Sequence, residues 1–375
     1  MGFMEKNLIT HFFEDVETTK EYDGYFYKVT DAITIVLLGS ICGLKNISQI
    51  HQWASSDRIK EFLKEKFQIK AVPCYYWLLC LMKMIKPESF NRCFTNWAAS
   101  MLPENKEKLT LSLDGKTIRS TGKMDSYESP LHIVSAQVAE LGITYAQQAV
   151  AGKSNEIPAV RELLEQLELG GCLIVADALN CQKETARTIL SGEGDYLLCA
   201  KDNQENLKKE IEEYVQDKTL CKSMGKKTET EKNRERIEKR TAFVTSEISW
   251  MQEKEGWEGL KCIGAVHTEF ERKGVKSNEW HYYISSRELT AGELLRHARL
   301  EWTVETMHWL LDVHFSEDQC RIEDKNIQQN LNMSRKLAIN MIKRQKEKTA
   351  SKRAISKIMF DCLLDPSNIC DIIEN

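Results

Sequence analysis

Three short apolar runs in the middle of the chain constrain its fold more than any other feature. Residues 109–113 alternate apolar and polar side chains, which is the period of a half-buried strand. Residues 172–176 and 196–200 are apolar throughout, as strands buried on both faces of a parallel sheet are. Helical spacing of apolar residues separates these runs, at 157–167 and again at 185–190. The order predicts parallel strands that are connected through helices.

Two further strand-like runs lie between the first apolar run and the first of these helices. They occupy residues 131–139 and 143–151, on either side of the short turn at Leu141-Gly142. A turn this short joins antiparallel strands, whereas parallel strands need a longer crossover. We therefore predict an α/β fold in which a mixed sheet is flanked by helices.

The rest of the chain divides by composition and by period. Residues 25–101 have helical spacing, residues 205–285 combine a charged segment with three strand-like runs, and helical spacing returns at 291–313 and 330–341. We expect an all-α N-terminal domain, an α/β domain with a β-rich insertion at about 205–285, and a basic C-terminal tail. Their predicted bounds are residues 1–104, 105–345 and 346–375.

The composition excludes several classes of protein. The 375 residues are 42% hydrophobic and 29% charged, as in soluble globular proteins. The twelve cysteines include no CxxC pair, so we expect free thiols, no zinc site and a cytoplasmic location. No basic segment followed by an apolar one marks a signal peptide, and the longest apolar stretch, residues 32–42, is too short to span a membrane.

Two aspartates follow the predicted buried strands at equivalent places. Asp114 comes after the run at 109–113 and Asp177 after the run at 172–176. Ligands bind at the carboxyl ends of strands in open α/β sheets, because the loops there leave side chains accessible. The alternative for either residue is an ordinary turn or helix-cap aspartate.

A third carboxylate lies in the predicted helix at 291–313. At 100° per residue, Glu305 shares a helix face with Trp302 and Trp309, and we expect that face to pack on the sheet. A buried carboxylate needs a cation, since isolated burial costs several kcal/mol. The cation could be a metal ion, or Arg296 or Arg299 in a buried ion pair, and a more hydrated face is the remaining alternative.

The three carboxylates together would form a site for hard divalent cations. Mg²⁺ and Mn²⁺ prefer carboxylate and water oxygens. Two such ions about 4 Å apart can serve the attacking and the leaving oxygen of an in-line phosphoryl displacement. The residues thus predict a two-ion Mg²⁺ or Mn²⁺ site for nuclease or strand-transfer chemistry.

Several segments resemble one family of insertion-sequence proteins, the DDE transposases of the ISAs type, within the IS-four-like group that includes the H-repeat-associated proteins. The most specific segment is WTVETMHWLLDVHFSEDQCRI, residues 302–322. The likeness extends over about residues 33–342. The other segments that carry it are LSLDGKTIR, VADALNCQKETA, GDYLLCAKDNQ, HYYISS and, near the N-terminus, CGLKNISQIHQWA.

The resemblance implies an RNase H-like catalytic domain whose DDE triad and metal ligands are Asp114, Asp177 and Glu305. It also implies a β-rich insertion between the second and third acidic residues. Two positions depart from the family pattern, with Glu301 where His is common and Thr306 where Asn is common. A third departure, NRERIEKR at residues 233–240, affects the charged arm, so DNA handling is in question more than the chemistry.

The net charge of −4 conceals two basic clusters that suit DNA phosphates. Residues 335–357 hold nine basic side chains and one acidic, and the arm at 218–240 holds nine basic and four acidic. The alternative is a solvated helix face or an ordinary turn lysine. The predicted DNA-binding residues are Lys116, Arg119, Lys201, Arg234, Arg236, Lys239, Arg240, Arg299, Arg335, Lys336, Lys343 and Arg344.

From the residues and the resemblance we predict a transposase that cleaves double-stranded DNA at element ends and transfers the strands into target DNA. Synapsis of paired ends favours a homodimer on DNA. No glycine-rich phosphate loop occurs, since Gly192 and Gly194 follow a helix and precede a strand, so no nucleotide cofactor is expected. His308 and His314 are interpreted as structural. The alternatives are a nuclease of the same fold, an inactive relic, and a non-catalytic DNA-binding protein.

Overall fold

A computed structural model describes residues 8–24, 26–121, 130–150, 156–233, 236–272, 274–301 and 303–374. Within them the first hundred residues form helices, apart from one isolated β-bridge between Thr18 and Ile85. The helices are α1 (Leu8–Phe13), α2 (Val29–Ile41), α3 (Ile47–Ala54), α4 (Asp57–Phe67), α5 (Tyr75–Met84) and α6 (Pro87–Ala99). Asn46 caps α3 by accepting a hydrogen bond from the backbone of Gln49.

The first half of the sheet has the predicted alternation of strands and helices. A parallel core is formed by its first, fourth and fifth strands, and the second and third strands add to one edge in antiparallel pairing. The elements are β1 (Thr110–Ile118), β2 (Leu131–Val138), β3 (Ile143–Ala149), α7 (Glu156–Glu165), β4 (Leu173–Ala176), α8 (Lys183–Ser191) and β5 (Asp195–Ala200).

The segment predicted as an insertion continues this same sheet. After α9 (Glu205–Gln216) come four antiparallel strands, β6 (Gly225–Asn233), β7 (Arg236–Thr245), β8 (Cys262–Arg272) and β9 (Val275–Ser285). Because β9 pairs with β5, the described residues form one nine-stranded sheet in the order β3-β2-β1-β4-β5-β9-β8-β7-β6.

The charged arm predicted at 218–240 is exposed over residues 225–232, and it contains a paired strand, β6, that was not among the three predicted strand-like runs. Residues 225–233 read GKKTETEKN, which lacks the apolar alternation of a half-buried strand. An edge strand can be this polar because one side of its backbone faces water, and charged side chains there prevent pairing with another chain.

Helices complete the chain and cover the sheet. The helix predicted at 291–313 is two helices, α10 (Ala291–Leu300) and α11 (Thr303–Phe315), and Trp302 between them lies outside the described residues. Thr290 and Glu293 form a capping box at the start of α10. Then follow α12 (Lys325–Lys348), α13 (Ile355–Leu364) and α14 (Ser367–Ile373), so the predicted tail is largely helical.

The long helix α12 lies between the sheet and the N-terminal helices. It packs against β3 on one side and against α2, α5 and α6 on the other. Its residues are buried almost without interruption from Ile327 to Ile342. The apolar side chains of both regions form one continuous core. The domain boundary near residue 104 stays a prediction.

The cysteines and helix lengths bear on two earlier expectations. All twelve cysteines are unpaired. Among the described residues, every helix is either too short or too polar to cross a lipid bilayer.

Candidate active site

The register of the two central strands sets Asp114 beside Asp177. Leu113 of β1 is the partner of Ala176 in β4, and each aspartate is the next residue along its strand direction. Parallel pairing ends there, while β1 continues to Ile118 against β2 alone. Asp114 therefore lies inside a strand rather than after one, contrary to the sequence prediction. Both carboxylates lie at the carboxyl end of the parallel pairing, where ligands bind in such sheets.

Local hydrogen bonds orient both aspartates. The backbone N–H of Gly115 donates to Oδ1 of Asp114 at 2.8 Å. Oδ1 of Asp177 accepts from the backbone N–H of Asn180 at 3.3 Å and from its Nδ2 at 3.0 Å. Asp177 thus also caps the 3-10 turn Ala178–Asn180, so the turn-cap alternative describes its local geometry correctly.

Glu305 lies in the first turn of α11, a helix that packs across β1 and β2. The prediction that its face packs on the sheet is wrong: Glu305 is exposed and Trp309 is 58% exposed. The buried face of α11 instead consists of Val304, Met307, Leu310, Leu311 and Phe315. Glu305 faces a cavity of about 410 Å³ that Lys201, Arg240, Arg299 and Glu301 also line.

The carboxylates of the site repel one another. Burial and, to a smaller extent, the charges of Glu156, Asp177 and Glu305 together raise the pKa of Asp114 to about 6. Burial and the charge of Asp177 raise the pKa of Glu301 to about 7. Burial raises the pKa of Asp177 as well. Such a concentration of negative charge favours binding of a cation.

The donor groups of the site suit hard divalent cations such as Mg²⁺ or Mn²⁺ by their chemistry. Its groups are carboxylate oxygens, which these ions prefer. Among the described side chains, no three His, Cys, Asp or Glu groups converge closely enough to enclose an ion. Mg²⁺ keeps several waters and is commonly held by one or two carboxylates together with substrate phosphates.

Three residues near the aspartates were not identified from the sequence as members of the site. Nδ1 of His308 lies 3.4 Å from Oδ2 of Asp114, although we had interpreted this histidine only as structural. Burial and the nearby Lys336 and Lys116 lower the pKa of His308 to about 3, so it is neutral. Glu156 and Glu301 are the other two. Of these three residues, only Glu301 was marked in the sequence, by its departure from the family pattern.

Several of the predicted DNA-binding residues are at least partly accessible, and Lys201, Arg240 and Arg299 among them line the cavity. Arg119 is 85% exposed at the side chain, and Lys201 is exposed where β5 ends. Arg240 and Arg299 both pair with Glu231, and Lys239 donates to Glu269 at 2.7 Å. Arg236 begins β7, Arg344 is half-buried, and Arg234 lies outside the described residues. Their contacts with DNA stay predictions.

Three other predicted DNA-binding residues have their charges engaged inside the protein, and their contacts with DNA stay predictions. The Lys116 side chain is 12% exposed, and its Nζ lies 2.7 Å from Asp312 and 3.2 Å from Glu317. Arg335 and Lys336 are each 2% exposed on α12. Arg335 pairs with Glu317 at 3.2 Å, and Lys336 donates to Ser135 and Gln147, each at 2.7 Å.

Lys343, also on α12, is turned inward as well. It is only partly exposed, and its Nζ donates to the backbone carbonyl of Gly142. This carbonyl belongs to the turn between β2 and β3, so Lys343 connects α12 to the sheet. The predicted DNA contact of Lys343 is therefore not supported by its placement.

Comparisons with known proteins identify the family of the chain. The model of the transposase DDE domain matches residues 105–341, and that of the DDE_Tnp_1-associated segment matches residues 10–98. The chain is 31% identical over 351 residues to "H repeat-associated putative transposase YhhI" of Escherichia coli (strain K12), covering 89% of this chain and 91% of that protein. It is 30% identical over 347 residues to "Putative protein YbfL" of the same strain, covering 89% and 90%.

A solved structure, that of the piggyBac transposase synaptic complex with hairpin DNA, has a more distant likeness. It covers 98% of this chain and 77% of its own, with a TM-score of 0.46 and 9% identity.

Proposed function

Because the chain belongs to the DDE transposase family, we propose that it cleaves DNA at the ends of a mobile element and joins the freed strands to target DNA. The proposed catalytic triad is Asp114, Asp177 and Glu305. The observation that carries the proposal is the placement of Asp114 beside Asp177 at the end of the parallel pairing, with three further carboxylates within electrostatic range. The strands β3-β2-β1-β4-β5 would be the RNase H-like part of the sheet.

The chemistry follows from what these side chains can hold. Asp114, Asp177 and Glu305 would hold two Mg²⁺ or Mn²⁺ ions. When bound, the ions supply activation of the attacking oxygen and stabilisation of the leaving oxygen in phosphoryl transfer. The exposed position of Glu305 on α11 leaves its carboxylate accessible from outside the sheet, where DNA would bind.

Basic residues around the cavity would neutralise the DNA backbone. Lys201, Arg240 and Arg299 line the same cavity as Glu305, and charged groups of this kind position phosphates without reading sequence. Water would be the nucleophile for cleavage and a DNA 3′-hydroxyl for joining, so the phosphodiester itself would carry the energy of the second step. The active assembly would be a homodimer that holds two element ends.

The test uses DNA that flanks the coding sequence, because terminal inverted repeats there would be the substrate. The purified chain is expected to nick this DNA with Mg²⁺ or Mn²⁺, without ATP, and to lose all nicking with EDTA. With a supercoiled plasmid present, end fragments should become covalently joined to it. Binding without nicking under either metal would instead indicate a non-catalytic DNA-binding protein, and nicking without joining would indicate a nuclease.

Two exposed cations give a prediction about DNA affinity. Lys201→Ala and Arg119→Ala should each reduce the slope of log affinity against log salt concentration by about 1, because each removes one phosphate contact. Lys64→Ala, at an exposed position of α4, is the control and should leave the slope unchanged. Fluorescence anisotropy of labelled end DNA at several salt concentrations measures the slope. Equal slopes for all four proteins would remove Lys201 and Arg119 from the DNA interface.

A further inference from the structure

A chain of hydrogen bonds runs behind the two aspartates. Nε2 of His132 is 3.0 Å from Oε2 of Glu156, and Oε1 of Glu156 accepts from Nδ2 of Asn180 at 2.9 Å. The same Nδ2 donates to Oδ1 of Asp177 at 3.0 Å. At the far end, Nδ1 of His132 lies 2.8 Å from Oγ1 of Thr117. Each carboxylate oxygen of Glu156 is therefore engaged.

The chain connects four elements that meet at the site. Thr117 belongs to β1, His132 to β2, and Glu156 is the first residue of α7. Asn180 ends the 3-10 turn that Asp177 caps, and it is fully buried. Glu156 thus joins the helix that follows the antiparallel edge of the sheet to the turn that follows β4.

The amide of Asn180 has one favourable orientation. Its Nδ2 faces carboxylate oxygens of both Glu156 and Asp177, while its Oδ1 is buried without a partner among the described residues. Rotation of the amide by 180° would set Oδ1 against two acceptors, which repel it. A buried carbonyl left unpaired is unfavourable, and here it accompanies the two hydrogen bonds that Nδ2 donates.

Glu156 and His132 also pack directly over the residue that follows Asp114. A Cβ placed on Gly115 would lie 2.3 Å from Oε2 of Glu156 and 2.5 Å from Nε2 of His132. Real Cβ atoms do not approach other atoms so closely, so a larger residue at 115 would displace the pair. The glycine after Asp114 allows the Glu156–His132 pair to lie against β1.

We infer that Glu156 is a positioning residue: through Asn180 it fixes the orientation of the Asp177 carboxylate, and thereby the geometry in which the site holds a divalent cation. The inference rests on the proposed function of this site. Oδ1 of Asp177 is occupied by Asn180, which orients Oδ2 for a cation. If Glu156 were lost, the Asn180 amide would lose one of its two acceptors and would no longer be confined to one orientation.

Metal affinity separates this role from a purely structural one. Residues that orient metal ligands by hydrogen bonds typically change metal affinity or activity by about 10-fold to 100-fold when they are replaced. Glu156→Ala and Asn180→Ala should therefore weaken Mn²⁺ binding by about that factor in calorimetric titration of the full chain without DNA. Glu156→Gln should recover part of the loss, because its Oε1 can still accept from Asn180.

The control is Glu162→Gln on the same helix. Glu162 is exposed, and its carboxylate accepts from Gln148 only, at 3.2 Å, among the described residues. The Mn²⁺ affinity of the Glu162→Gln variant should equal that of the parent. The Mg²⁺ concentration that gives half-maximal nicking should rise in Glu156→Ala and Asn180→Ala and stay constant in Glu162→Gln. Thermal unfolding without metal shows which variants are folded. If Glu156→Ala does not fold, the Mn²⁺ affinities of Asn180→Ala and Glu156→Gln test the positioning role.

The possible outcomes separate the two proposals. If folded Glu156→Ala or Asn180→Ala binds Mn²⁺ and requires Mg²⁺ as the parent does, the positioning role is overturned. Nicking by the parent would then leave the proposed function intact. A parent that neither binds Mn²⁺ nor nicks DNA would overturn both.

Discussion

Asp114→Asn is expected to reduce metal-dependent nicking of element-end DNA by at least about 10³-fold while DNA binding changes little. The amide keeps the size of the carboxyl group and can still accept the 2.8 Å hydrogen bond from Gly115. It loses the negative charge that would hold a divalent cation beside Asp177. Asp177→Asn and Glu305→Gln should act in the same way. Nicking rates and anisotropy with the same labelled DNA provide the two measurements.

Stability distinguishes this loss from misfolding. Burial and neighbouring carboxylates raise the pKa of Asp114 to about 6, so its negative charge is unfavourable in the metal-free protein at neutral pH. Asp114→Asn should therefore unfold at the same temperature as the parent or higher. Asp202→Asn, near the end of β5 and paired with Lys208, is the control and should nick normally. Parent-like nicking by all three triad variants would refute the proposed catalytic centre.

Glu317→Ala is expected to lower the free energy of unfolding by about 3–5 kcal/mol, the usual cost of breaking a buried ion pair. Glu317 is fully buried and accepts from Asn332 at 2.8 Å and from Lys116 and Arg335 at 3.2 Å each. Its removal would leave two largely buried cations without this carboxylate. Chemical denaturation measures the change. Arg58→Ala, in an exposed pair with Asp365, should cost about 0–1 kcal/mol.

The same cluster predicts an effect of acid. Burial raises the pKa of Glu317, but Arg335 and Lys116 lower it more, so the folded-state pKa lies below the ordinary 4.5. Stability from this group is present above pH 4.5 and is lost as the pH falls through the folded-state pKa. The parent should lose more stability than Glu317→Ala as the pH falls below 4.5. A loss of under 1 kcal/mol in Glu317→Ala at neutral pH would contradict the buried pair.

Local periodicity predicted the elements around the aspartates well. The strand and helix order from residue 109 to residue 200 follows from apolar spacing, and this order alone placed Asp114 and Asp177 at strand positions that the register makes adjacent. The roles of these residues and of Glu305 were proposed from the same pattern and remain to be tested. The strands could be predicted from apolar spacing because each strand pattern depends only on consecutive residues.

The errors arise where the environment comes from distant parts of the chain. Nothing in the spacing near Arg335 and Lys336 indicates that Glu317, Ser135 and Gln147 would pair with them. The face of α11 was misassigned because two tryptophans suggested burial, whereas the sheet is covered by the smaller side chains on the opposite face. The edge strand β6 was missed because residues 225–232 are all exposed, so neither face of the strand needs apolar side chains and no alternation arises.

The position of α12 has a consequence for how the molecule unfolds. Since its buried surface is shared between β3 and the helices α2, α5 and α6, neither side can lose its structure without exposing apolar surface on the other. The N-terminal helices and the sheet therefore form one cooperative unit, and heating should melt them in a single calorimetric transition. A fragment that ends or begins at residue 104 would therefore expose apolar core surface that the intact protein buries.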